Sequence, residues 1–74
     1  MLEVVTMKEI DAIFEVTDAL GVHREGLVIP LGTATPGRVR RLPSGKLEII
    51  VDAERPFQEW LTELPRLIAA AQGK

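Results

Sequence analysis

The sequence predicts a small α+β fold of order β-α-β-β-β-α, with an antiparallel sheet and two helices packed on one face. Three patterns support this prediction: a β-hairpin over residues 37–52, an amphipathic helix before it, and a second helix after it. The 74 residues suit a single domain, 1–74. A chain of this size buries only about 60% of its unfolded surface, so a partner that adds buried area would stabilise it.

The first helix has clear boundaries in the sequence. A short β-type segment, residues 2–5, precedes Thr6, which forms a capping box with Glu9. Gly21 is placed to end the helix in the left-handed conformation. We therefore expect a helix over residues 7–20. Its apolar stripe comprises Met7, Ile10, Ile13, Phe14, Thr17 and Leu20.

Short segments follow this helix. His23 lies in a polar connection, where we expect it to be exposed. The apolar run 27–31 predicts a strand that is at an edge or bulged at Pro30, because proline cannot donate to a ladder. Residues 32–37 are typical of a turn, and they match no glycine pattern for binding phosphate.

Residues 42–45, Leu-Pro-Ser-Gly, predict a type I turn with Gly45 in the left-handed position of a G1 bulge. The resulting register sets Arg40 opposite Glu48 and Arg38 opposite Ile50. Because side chains alternate along a strand, one face forms core with Val39, Leu47, Ile49 and Val51. The mixed second face carries Arg38, Arg40, Leu42, Glu48 and Ile50.

The second helix pattern begins at Pro56 and places Trp60 in an apolar stripe, which predicts a core position. Pro65 interrupts the pattern. It lacks the N–H that a helix interior needs, so we expect either a kink or a division into helices 56–63 and 65–72.

The inventory of reactive side chains argues against an enzyme. The chain has no cysteine, one histidine and one serine, and Ser44 is already explained by the hairpin turn. We expect no catalytic residues, no cofactor and no metal site, since one histidine leaves only carboxylates as further zinc ligands. No leader and no apolar run of about 18 residues is found, so we expect a cytoplasmic protein with no membrane partner.

Charge is unevenly distributed along the chain. Residues 1–20 hold five acidic side chains and one lysine, whereas residues 21–51 hold five basic and two acidic side chains. We interpret this as an acidic helix and a basic sheet that neutralise each other.

The segment 47–68, from the last strand into the second helix, resembles the corresponding part of the ImmA/IrrE-type metallopeptidases. In that family the helix carries an HExxH motif that binds zinc. The matching positions here are Thr62 and Arg66 in place of the two histidines, and Glu63 in place of the glutamate. The resemblance therefore implies a related topology without the zinc activity.

Two functions of different class remain. The first is a protein-interaction module, a homodimer or a binder of another protein, with Leu42, Ile50, Arg38, Arg40 and Glu48 as its interface. The second is a nucleic-acid-binding module that uses the arginine-rich hairpin. We rank the interaction module first because the net charge is −2 and the strands carry no aromatic platform for bases. A zinc-free relative of a metallopeptidase ranks third.

Overall fold

The computed structural model describes residues 4–73. Their elements are two helices and four strands: α1 (Met7–Ala19), β1 (Leu27–Val28), β2 (Thr33–Ala34), β3 (Arg38–Arg41), β4 (Leu47–Asp52) and α2 (Phe57–Gln72). A short 3-10 helix, Arg24–Gly26, connects α1 to β1. In the described part of the chain, neither helix is long and apolar enough to cross a membrane.

The local signals around α1 and the hairpin are confirmed. The Thr6 backbone N–H donates to Glu9 Oε1 at 2.9 Å in a capping box, and Gly21 follows the helix with φ +78°. Gly45 has φ +93°, and the Leu42 N–H donates to the Lys46 carbonyl oxygen at 2.7 Å. β3 and β4 pair in the predicted register.

The all-antiparallel sheet is wrong. β4 pairs with all three other strands: β3 is antiparallel to it, whereas β1 and β2 are parallel to it. β1 and β3 pair with the same residues of β4, Leu47 and Glu48, so they lie on its opposite edges. Pairing on both of its edges buries the apolar β4. The arginine-rich β3 can lie at the edge of the sheet, because charged side chains protect an exposed edge. Sequential strands therefore do not form a simple meander.

The strand predicted over residues 27–31 is broken near Pro30. β1 ends at Val28, and the chain resumes pairing at β2, inside the segment that the sequence analysis assigned to a turn. Thr33 lies five residues after Val28, whereas their partners in β4, Val51 and Glu48, are only three residues apart. Two extra residues therefore form a bulge between β1 and β2. The predicted β segment 2–5 lies partly outside the described residues, and Val4 forms an isolated antiparallel bridge with Gly32.

Both helices pack on one face of the sheet. A single core cluster joins α1, α2 and β4 and comprises Val5, Ile13, Leu47, Ile49, Val51, Trp60, Leu64 and Ile68. Trp60 is 1% exposed, which confirms its predicted core position. The stripe predicted for α1 is wrong at its ends, because Met7 and Leu20 are exposed. Met7 is the first residue of α1, and Leu20 follows its last residue.

α2 runs without a break through Pro65, so the division into two helices is wrong. Leu64 and Ile68, on either side of Pro65, are both buried in the core. Their burial offsets the hydrogen bond that Pro65 cannot donate.

Candidate interaction surface

The face of the sheet turned away from the helices, which we call the open face, carries side chains from three strands. The register places Val28 and Arg40 on either side of Glu48, and Arg38 beside Ile50. Directly paired residues project to the same side of a sheet. The structure therefore brings four of the predicted interface residues together. The fifth, Leu42, extends the row toward the hairpin turn.

The open face leaves apolar side chains partly uncovered. Ile50, Leu42 and Val28 are half-buried there, whereas the side chains of β4 on the helical face are almost completely buried. No helix of residues 4–73 covers these three side chains, since α1 and α2 share the core on the opposite face. The surface is mixed, with an apolar centre between charged side chains.

One cross-strand ion pair lies on the open face. Arg40 Nε donates to Glu48 Oε1 at 2.6 Å, which confirms the predicted pair. The Glu48 side chain is only 16% exposed, because it lies between strands on both sides. Arg38 and Arg41 are exposed and form no ion pair within residues 4–73. The hairpin therefore presents more positive charge than ion pairs within residues 4–73 neutralise.

A second charged cluster includes Glu63 and Arg66, two of the positions matched to the HExxH motif of the metallopeptidases. Arg55 donates to both carboxylate oxygens of Glu63, at 2.8 and 2.9 Å, and Arg66 donates to one of them at 3.2 Å. The hydrogen bond from Arg55 is the main reason that the pKa of Glu63 lies below its usual value. Thr62 donates its hydroxyl to the Glu59 carbonyl oxygen at 2.7 Å. Glu63 is thus held as an anion in an ion pair that the sequence analysis missed.

A shallow depression of about 530 Å³ lies at the end of α1, lined by Asp18, Gly21, Val22, His23, Arg24 and Glu25. His23 is exposed there, as predicted. Arg24 is held in place, since it donates to Asp18 Oδ2 at 2.9 Å and lies 4.5 Å from the centre of the Phe14 ring. In the part of the chain that the structure describes, no three potential ligands among His, Cys, Asp and Glu gather into a metal site.

Sequence reasoning missed a group of exposed apolar side chains near the start of the chain. Val4, Met7 and Leu31 are 58%, 65% and 58% exposed. They belong to two adjoining segments, because Val4 bridges Gly32 and the Val5 N–H donates to the Leu31 carbonyl oxygen at 2.7 Å. The alternation of an extended segment was an available signal, since the neighbouring Val5 is buried.

Comparison with known proteins returned no matching family model, no matching curated protein and no matching solved structure.

Proposed function

We propose that this chain is a small self-associating interaction module that forms a homodimer through its open face. The observation that carries the proposal is the apolar centre of that face, Val28, Leu42 and Ile50, left partly exposed while both helices pack on the other side. A small domain gains proportionally more from added burial than a large one. We also propose a cytoplasmic location, which suits a chain without cysteine because the cytoplasm is a reducing compartment.

The charges on the open face suit a second copy. In a two-fold dimer the same patch meets itself, so each residue of one copy can face a different residue of the other. Glu48 uses only Oε1 in its hydrogen bond with Arg40, and Arg38 forms no ion pair among residues 4–73. Arg38 of one copy can therefore pair at the rim with Glu48 of the other copy.

Replacing Ile50 with Asp tests this interface. The change places a charge in the apolar centre, so sedimentation across low to high micromolar concentrations is expected to show a parent dimer and a monomeric variant. The combined variant Arg38→Glu with Arg40→Glu should weaken association less, because exposed ion pairs contribute little.

Leu31→Asp is the matched control, since it adds the same charge at an exposed apolar position outside the four strands. It should leave the dimer intact. A parent that is monomeric throughout, or a dimer that Leu31→Asp dissociates and Ile50→Asp does not, contradicts the proposal.

A nucleic-acid-binding function is the second candidate. Arg38, Arg40, Arg41 and Lys46 are all exposed on the β3–β4 hairpin, which favours contact with phosphates. The only tryptophan is buried, and the described strands contain no aromatic residue that could stack on a base. Salt-sensitive binding of labelled DNA or RNA, lost when Arg38 and Arg40 are replaced by Glu, would place this candidate ahead of the homodimer.

A further inference from the structure

The outer edge of β3 has unused backbone hydrogen-bonding groups. The Leu42 N–H donates to the Lys46 carbonyl, and in an antiparallel ladder every second residue turns its backbone groups toward the partner strand. Arg40 and Arg38 therefore face β4, whereas Val39 and Arg41 direct their N–H and C=O groups the other way. Within residues 4–73, β3 pairs with no strand other than β4. Its outer edge thus has donors and acceptors for one more strand.

This edge is positively charged on both sides of the sheet. Arg38 and Arg40 project on the open face, and Arg41 projects on the helical side with Val39. All three arginines are exposed, and only Arg40 has a carboxylate partner in the described part of the chain. α1, with its acidic residues, forms no ion pair with β3 among these residues.

The charge selects the kind of strand that fits this edge. A second copy of β3 would set arginine against arginine, and like charges on directly opposed residues are destabilising. An extended segment with acidic residues at alternate positions would instead pair with Arg38 and Arg40. We propose that the outer edge of β3 binds an extended acidic peptide segment of another protein by strand addition. The bound segment gains backbone hydrogen bonds from Val39 and Arg41 and charge pairing from the arginines.

The proposal concerns the edge of the sheet and does not depend on the homodimer through the open face. A labelled peptide of alternating Val and Glu residues, titrated with the protein and followed by fluorescence anisotropy, tests it. We expect saturable binding that weakens as salt is added. The same peptide with Lys in place of Glu should not bind. N-methylation of alternate residues keeps the charge and removes backbone donors, so it should weaken binding by about tenfold.

Two variants assign the binding to β3. Arg38→Glu is expected to weaken binding by roughly three- to tenfold, because it replaces an attractive exposed charge on the side of the peptide's acidic residues with a repulsive one. Lys46→Glu makes the same change of charge outside β3 and should have little effect. Ile50→Asn disturbs the open face without adding a charge beside Arg38, so it should leave peptide binding intact and the two proposals fail separately.

Three results would overturn this inference. The first is no binding of the Val–Glu peptide, which would mean that the arginines only protect the edge from self-pairing. The second is equal binding of the N-methylated peptide, which would exclude strand addition. The third is displacement of the peptide by a single-stranded oligonucleotide together with insensitivity to N-methylation, which would assign the arginines to nucleic acid.

Discussion

Asp52 connects three segments of the chain through one buried carboxylate. Its Oδ1 accepts the backbone N–H groups of Glu54 and Arg55 at 2.8 and 3.0 Å, and its Oδ2 accepts that of Gly37 at 3.1 Å. The hydrogen bond from Arg55 is the largest cause of a pKa below the usual value for aspartate, and burial opposes it. Asp52 thus joins the end of β4 to the start of α2 and to the entry of β3.

We predict that Asp52→Asn destabilises the protein at neutral pH by about 2–4 kcal/mol, since an amide NH₂ replaces one accepting oxygen. The pKa of Asp52 is lower in the folded state than its unfolded value of about 3.9. Its contribution is therefore present above that value and is lost as the pH falls through the folded pKa. Urea unfolding of parent and variant between neutral and strongly acidic pH should show the difference shrinking in acid. A difference that does not change with pH would contradict this assignment.

Gly37 explains why the chain can approach Asp52 so closely. A Cβ at this position would meet the backbone nitrogen of Asp52 and would lie 2.7 Å from both the Asp52 Cα and the Ile50 carbonyl oxygen. No side chain fits there without moving β4. The glycine is required by the close approach of two backbones.

At the scale of elements, α2 shows how core packing overrides a local signal. Pro65 cannot donate an N–H to Leu61, yet the helix continues for seven further residues to Gln72. Buried Leu64 and Ile68 hold both halves against the sheet. Outside the core, Arg55, two residues before α2, donates two hydrogen bonds to Glu63 within the helix.

Pro65→Ala is expected to stabilise the protein by about 1–3 kcal/mol, because it restores a donor in the helix interior and removes the ring from the preceding turn. Chemical denaturation measures the change. Pro43→Ala is the control: in the hairpin turn proline presets φ, so its loss should destabilise the protein by about 0.4–1 kcal/mol. If Pro65→Ala destabilised the protein as much as Pro43→Ala, the prediction would be wrong, because Pro65 would then stabilise α2.

At the scale of the whole molecule, the acidic and basic regions do not neutralise each other as the sequence suggested. Within residues 4–73 one ion pair joins the acidic region to the basic region, between Asp18 at the end of α1 and Arg24. None joins α1 to the hairpin. α2, with its buried stripe, packs against β3 and β4. The hairpin charges therefore remain available to a partner.

Homodimer formation implies a melting temperature that depends on protein concentration, since association stabilises the folded state by mass action. The parent should melt at a higher temperature as its concentration rises, whereas Ile50→Asp should melt at a constant temperature. Differential scanning fluorimetry over a wide dilution series measures both. A constant melting temperature for the parent would contradict the homodimer.

Features that depend on a few neighbouring residues can be predicted from the amino-acid sequence alone. The capping box at Thr6, the left-handed Gly45 and the hairpin register need only local geometry, and they placed Arg38, Arg40, Glu48 and Ile50 on one face. Alternation also identified the core side of β4 correctly. Most of the candidate interface could thus be predicted without tertiary information.

The choice of strands beside β4 depends on long-range packing. β1, β2 and β3 compete for its two edges, and the outcome depends on burial and charge summed over the whole sheet. That competition produced the parallel pairing of β1 and β2, the exposed edge of β3 and the carboxylate contact from Asp52 to Gly37. These contacts join residues far apart in sequence, so no short pattern encodes them.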